Sequence, residues 1–430
     1  MRPRTRAASS APSSKWCAGA ELAQRPDPRR ELLLGLLRIG LQRVDGRRCV
    51  RAALTEAAGS AAPAHVWLAA IGKAAESMAL GAHEALGAAI ERTLLISRDA
   101  PSATPLVAGP SVEVMLGAHP LPDERSLAAG ARLLAWVEGL PPEAQPLFLI
   151  SGGASSLVEV LEAGATLHDL EELTRQAFAQ GIAIGELNAR RAALSRIKGG
   201  RLAERLRGRS AQALFVSDVP QDDPRVIGSG LMGPAASGED RVERRVVASV
   251  DDAVAAVAAA AAGLGLTVHA PARRFEGDAA RLAARFAHEL SLTSAQLCVW
   301  GGESTVPVPP HPGRGGRNQH LALAAARLLA GHADLLLLAA GTDGIDGVTE
   351  DAGALVDAET CSRITLAQLD ADRCLQQADS ARALAASGDL VHTGPTGTNV
   401  GDLVIGLKLA AAAAARTIAD PHGGARSRVL

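Results

Sequence analysis

The chain has no tyrosine, five phenylalanines and four tryptophans among its 430 residues. So few rings offer no stacking platform for single-stranded nucleic acid. A formal net charge of −2 gives no basic footprint for a duplex or an anionic membrane surface. Cysteine is scarce as well. Cys17, Cys49, Cys298, Cys361 and Cys374 are scattered, without a CxxC pair or metal-ligand spacing, and read as reduced thiols of a cytoplasmic protein. Long apolar runs are missing: the alanine-leucine stretches near 253–262 and 403–415 are too short or too interrupted to span a bilayer. No apolar h-region opens the chain, which argues against a secretory signal.

Two further shortages are useful. Against 40 arginines stand only Lys15, Lys73, Lys198 and Lys408, and asparagine occurs only as Asn188, Asn318 and Asn399. A coding bias against these residues makes the survivors candidates for positions held by chemistry. All three asparagines and two of the lysines fall in Gly-rich or charged motifs.

What is present is ample core material, with 47% hydrophobic and 21% charged residues. At about 100–200 residues per domain, the length predicts two or three domains. Residues 1–28 are rich in Arg, Ser, Ala and Pro and read as a disordered extension. A mitochondrial transit peptide shares that composition, but no amphipathic stripe supports one. From Glu31 on, apolar runs alternate with helical patterns, which predicts an α/β fold. The expected strands are His65–Ile71, Thr93–Ser97, Val112–Leu116, Pro146–Ser151, Ala213–Ser217 and Arg245–Val250, then Leu266–His269, Gln296–Trp300, Leu335–Ala340 and Gly353–Val356. Thr166 and Asp169 form a candidate capping box for a helix through Ala179. A following helix would align Asn188, Arg191, Ser195 and Lys198 along one face. The polar stretch Ser237–Arg245 is a candidate boundary between halves.

Several expected strands run straight into Gly-rich loops, the places where open α/β sheets bind ligands. Gly72-Lys73 after the first strand puts an ammonium beside a helix start, where phosphate or carboxylate is attracted. It is not a Walker A loop. Ser151-Gly152-Gly153-Ala154-Ser155-Ser156 combines glycines with hydroxyls and can cradle an anion, with a plain tight turn as the alternative. Asp218 in Ser217-Asp218-Val219-Pro220 can hold a cation or accept a proton, although Asp-Pro turns are commonly structural.

Further along come Gly301-Gly302-Glu303-Ser304-Thr305 and then GRGGRNQ, where Arg317 and Asn318 open a helix. A guanidinium at such a start can grip phosphoryl oxygens. Asp343 and Asp346, separated by glycine in GTDGIDG, suit a hard cation that also touches substrate phosphates, with paired Asx turns as the alternative. Thr396 and Asn399 lie in the backbone-rich loop GPTGTN. Two motifs look like decoys. Gly228–Gly233 matches GxGxxG but follows a polar turn rather than a strand, and the prolines of His119-Pro120-Leu121-Pro122-Asp123 suggest a rigid turn that orients the next helix.

In this order the motifs resemble the glycerate 2-kinase family, whose C-terminal part is the MOFRL domain. The resemblance runs through GKAA (72–75), HPLPDE (119–124), SGGASSL (151–157), NARRAALSRIKGGRLA (188–203), SDVPQDDP (217–224) and GSG (228–230), then GGEST, GGRNQ, GTDGIDG and GPTGTN. It spans about residues 31–410. It implies two α/β domains with mostly parallel sheets and an active site in the cleft between them. Their expected extents are 29–240 for an N-terminal Rossmann-like glycerate-kinase domain and 241–430 for a C-terminal α/β region, with MOFRL at about 295–405.

The implied reaction moves the γ-phosphoryl group of ATP to the 2-hydroxyl of D-glycerate, with Mg²⁺. Lys73 and Arg317 match the positions proposed to be catalytic in the family. On that basis Lys73, Arg317 and Asp218 are the expected catalytic residues. Ser151, Gly152, Gly153, Ser155, Ser156, Asn188, Arg191, Lys198, Glu303, Asn318, Thr396 and Asn399 are expected to bind substrate or phosphate. Asp343 and Asp346 are the expected metal ligands, with either aspartate or Asp218 open as the acceptor of the hydroxyl proton. The expected partners are D-glycerate and ATP, with no nucleic acid and no membrane, and a homodimer is left open.

The chain departs from the family at His320, where glutamate is usual, in the shortened segment after Gly230 and in the loop His311–Arg314. Two other readings compete. A hydroxypyruvate reductase would need a nicotinamide site, and a non-catalytic relative would only bind a sugar acid or nucleotide.

Overall fold

The computed structural model describes residues 27–57, 64–102, 111–180, 190–238 and 240–410. Of the expected extension, residues 1–26 therefore lie outside the described residues, while Asp27 and Pro28 already belong to a helix start. The Asp27 side chain accepts the Arg29 N–H at 2.9 Å and Pro28 takes the first helical position, so α1 runs Pro28–Arg43. Thr166 and Asp169 cap each other as expected, opening the helix Leu167–Gln180.

The first sheet holds six strands, β1 (Val66–Ile71), β2 (Ile90–Ser97), β3 (Val112–Leu116), β4 (Gln145–Ile150), β5 (Ser210–Val216) and β6 (Arg241–Ala248). They lie in the order β3-β2-β1-β4-β5-β6, and every pair is parallel. Burial on both faces explains the continuous apolar runs that marked these strands. In β4, Leu147 and Leu149 join one core with Leu68, Ala70 and Leu214, while Phe148 and Ile150 join the other with Ala69, Ile71 and Phe215. Helices α2 (Gly46–Ala57) and α3 (Ala75–Leu86) cover the first face; α4 (Glu124–Glu138) and the short α5 (Ala154–Leu157) cover the second.

The second sheet is mixed. It contains β7 (Val268–His269), β8 (Phe275–Asp278), β9 (Leu297–Thr305), β10 (Leu335–Gly341), β11 (Gly353–Asp357), β12 (Leu390–Val391) and β13 (Asp402–Lys408). Its order is β12-β11-β10-β13-β9-β7, with β8 also on β9. Only β7 and β8 run parallel to their neighbour; from β9 through β13, β10 and β11 to β12 all pairs are antiparallel. The α/β class and the two layered sheets agree with the sequence, but the expected mostly parallel pairing holds only in the first sheet, and β8, β12 and β13 were not among the expected strands. The central strand β13 was hidden inside a stretch that reads as an alanine-leucine run.

Helix Val250–Gly263, capped by Ser249 and Asp252, packs on both sheets. Val250 and Ala253 sit in the core of the first, and Val257 and Ala261 in the core of the second. Helix α1 packs beside it on the second sheet, through Leu33, Leu36 and Leu37, against Leu403 and Ile405 of β13. Strand β6 is an edge strand of the first sheet, so the polar stretch after Gly230 leads into that sheet rather than out of it.

Ile405 is fully buried in that core. Ile405→Ala should lower stability by about 2–5 kcal/mol, read as a fall in the denaturant midpoint at unchanged far-UV circular dichroism of the native state.

Candidate active site between the two halves

Strand order in the first sheet reverses between β1 and β4, and at such a point the crossovers leave on opposite faces and open a crevice beyond the strand ends. Both N-terminal Gly-rich motifs lie there. They interlock: the Lys73 N–H donates to the Gly152 carbonyl at 2.9 Å, and the Ala74 N–H to Ser151 Oγ at 3.0 Å. Gly72 has φ +129°, and a Cβ there would lie 2.1 Å from Ser151 Oγ. Ser151 is fully buried, so its hydroxyl builds this turn rather than facing a ligand.

Loops of the second half close the crevice. Lys73 Nζ meets Asp343 Oδ2 at 2.8 Å, and Asn399 Nδ2 donates to Asp218 Oδ2 at 3.1 Å. A Cβ on Gly152 would lie 2.0 Å from both of those last two atoms, so a larger residue would displace that hydrogen-bonded pair. Thr342 ties the GTDGIDG and GPTGTN loops together: its hydroxyl donates to Gly401 O at 2.7 Å and accepts from the Val400 N–H at 2.9 Å. Thr396 Oγ1 donates to the Thr342 carbonyl, so that side chain also serves the loop junction.

Arg317 opens α6 (Arg317–Leu329) and is held in a fork. Its Nε and Nη2 donate to Asp402 at 2.8 and 3.0 Å, and Nη1 to Glu303 Oε1 at 2.6 Å. Asp402 is fully buried and also accepts from the Ser304 N–H at 3.2 Å and from Asn318 Nδ2 at 2.9 Å. Among the described residues, the buried atoms Asn318 Oδ1, Ser304 Oγ and Thr398 Oγ1 have no protein partner.

Charges of both halves converge on Asp218. Burial and the neighbouring Glu303 push its carboxyl up to about 6, against the opposing pull of Lys73 and Arg317. Burial likewise raises Glu303, with Arg317 and Lys73 pulling it back. The Asp218 loop is braced from the second half by Arg274, which donates to Val219 O at 2.8 Å, to Asp222 at 2.6 and 3.0 Å, and to Asp251 at 2.9 Å. The result is a cleft with two cations and several carboxylates in mutual electrostatic range, one carboxylate being poised near neutrality.

A family model described as a domain of unknown function, DUF4147, matches residues 32–260, and the MOFRL family model matches residues 296–402. A D-glycerate 2-kinase of Thermotoga maritima is 35% identical over 80% of this chain and 90% of its own length. The chain belongs to the glycerate 2-kinase family. A crystal structure of a glycerate kinase from the same organism aligns with a TM-score of 0.78 at 32% identity, covering 89% of this chain and 100% of that one. A protein of Agrobacterium vitis with a provisional hydroxypyruvate reductase name is 36% identical over 68% of this chain and 76% of its own length.

Not every residue that the glycerate 2-kinase motifs nominate reaches the cleft. Asn188 lies outside the described residues. The expected helical face through Lys198 does not form: helix is present only at 190–193 of the described part, and Ser195 instead pairs with Leu161 in an isolated β-bridge. Lys198 is 2% exposed and bonds to Glu159, which is fully buried and also takes the Ser195 hydroxyl at 2.5 Å. Burial lowers the Lys198 pKa and Glu159 opposes it, so this lysine is an internal ion-pair partner rather than a ligand-facing cation. Arg191 is half-buried near Glu159, with its pKa lowered by burial.

Asp346 also leaves the expected group. The N-cap of α6 is Gly316, which has no side-chain oxygen to offer. Asp346 supplies it from the next loop, accepting the Asn318 N–H at 3.1 Å and the Gln319 N–H at 2.7 Å. Only 2% exposed, its carboxyl is pushed up to about 7 by burial, against those hydrogen bonds. Both oxygens are used by the helix, which does not fit the second ligand of a Mg²⁺ pair with Asp343. Ser155 shares a hydrogen bond with Ser229 at 2.7 Å, and Ser156 donates to Pro120 O at 2.7 Å.

Sequence reasoning overlooked Asp402, Arg274 and Glu159, and set His119 aside. Asp402 follows GPTGTN by three residues, the one signal that could have flagged it. Glu159→Ala should strand the Lys198 ammonium and cost about 3–5 kcal/mol. Denaturant unfolding of that variant beside Glu159→Ala/Lys198→Met checks this, with the double variant recovering much of the loss.

Proposed function

We propose that this chain transfers the γ-phosphoryl group of ATP to the 2-hydroxyl of D-glycerate, giving 2-phosphoglycerate and ADP, in the cytoplasm. The observation that supports it best is the meeting of Lys73 from the first half and Arg317 from the second around Asp218. Phosphoryl transfer asks a protein mainly for position and for positive charge on the transferring oxygens. Lys73 and Arg317 supply that charge, and their carboxylate partners Asp343, Glu303 and Asp402 hold them ready. Gly153 lets backbone approach the substrate, and Arg191 is the remaining candidate of its motif for the glycerate carboxylate.

As the 2-hydroxyl oxygen bonds to the γ-phosphorus, the bond to the bridging oxygen breaks and its electron pair stays on ADP. The hydroxyl proton passes to Asp218. Mg²⁺ would arrive with ATP. Because the Asp343/Asp346 pair does not fit the ion, no step is assigned to it.

The redox alternative fares worse. The GxGxxG stretch Gly228–Gly233 does not form the strand–turn–helix of a dinucleotide site: Ile227–Ser229 is a 3₁₀ turn that meets the Ser151–Ser156 loop through Ser229 and Ser155.

A coupled assay with ATP, Mg²⁺ and D-glycerate, with the phosphate position read by NMR, tests the proposal, and absence of ADP release overturns it. Lys73→Ala and Arg317→Ala should each lower kcat by about 10²–10³-fold. Asp218 must be ionised to accept a proton, so kcat/KM should fall as pH drops below about 6. In Asp218→Asn that limb should vanish from a much reduced profile.

A further inference from the structure

Gly117 and the turn after it are fixed on several sides. The Gly117 N–H donates to Ser97 O at 3.0 Å, the Ala118 N–H to Ser126 Oγ at 3.0 Å, and Pro120 O accepts from Ser156 Oγ at 2.7 Å. Asp123 then caps α4. Between these anchors stands His119, whose ring is aimed by backbone that has little freedom to move. A Cβ on Gly153 would lie 3.2 Å from His119 Cδ2 and 3.2 Å from Lys73 Cγ, so imidazole and lysine stem flank the same glycine.

The imidazole is half-buried, yet among the described residues neither ring nitrogen has a hydrogen-bond partner. Its neighbours are charged without touching it: Lys73 and Arg98 oppose its protonation and Asp343 favours it. A ring held this firmly at the edge of a cleft, with no protein partner for either nitrogen, is open to a ligand that enters the cleft.

We propose that His119 is a substrate-contacting residue whose neutral imidazole hydrogen-bonds the hydroxy acid bound beside Lys73. This rests on the kinase reading above and assigns part of its acceptor site. The acceptor, rather than the nucleotide, is the matching ligand. Triphosphate oxygens ask for cations, whereas a small hydroxy acid presents hydroxyl groups that a neutral ring can both donate to and accept from. Burial, Lys73 and Arg98 hold the ring down to about 4, which keeps it neutral at physiological pH. Asp218 remains the proton acceptor, so the two residues divide binding from proton transfer.

Steady-state kinetics of His119→Ala should show KM for D-glycerate raised about tenfold or more, the loss of one buried hydrogen bond. KM for ATP should move little, and His119→Gln should restore part of the D-glycerate affinity through its amide nitrogen. In the unsubstituted protein labelled with ¹³C-histidine, the His119 ring signal, identified by its absence from His119→Gln, should shift on addition of D-glycerate alone. If the protein turns over D-glycerate and ATP while His119→Ala keeps its KM for D-glycerate, or the ring signal does not respond, the inference fails and the kinase reading stands. If the unsubstituted protein releases no ADP, the reading itself fails.

Discussion

Everything at the cleft turns on how closely three loops approach at Gly152. Asp218 comes from the end of β5, Asn399 from the loop before β13, and their hydrogen bond passes where a side chain would begin. The same glycine gives its carbonyl to the Lys73 N–H. One missing Cβ therefore lets the lysine turn, the Asp218 loop and the second half of the molecule share a point. Any larger residue would displace the Asp218–Asn399 pair that joins the halves there.

The parallel sheet was legible because its strands are buried on both faces and so appear as unbroken apolar runs. Leu147–Ile150 is typical, with Leu147 and Leu149 serving one core and Phe148 and Ile150 the other. The second sheet was harder to read. Its central strand, Asp402–Lys408, carries a glycine and precedes a long alanine run, so periodicity alone cannot separate it from a helix. Strands of two residues, such as β12, have no period at all.

The site divided along a similar line. Glycines at strand ends announced themselves, because loops that approach a ligand or one another need them. Residues whose work is defined by a partner did not. Lys198 looked like a ligand-facing cation until Glu159 appeared beside it, 39 positions away in sequence. Asp346 looked like a metal ligand because its use depends on a helix start, Gly316-Arg317, that lacks a capping side chain. Prolines made His119 look like mere scaffolding, whereas a stiff turn is also what holds a ring still.

Helix α1 leaves the ribosome long before the strand that receives its leucines, β13. Its apolar face must wait through more than three hundred residues of synthesis before its sheet is complete. The first sheet, whose strands all precede Val250, can form earlier, but the second must close over a contact between distant parts of the chain. Order of manufacture and order of assembly therefore run against each other in this protein. Until β13 is made, the leucine face of α1 lacks the strand that covers it.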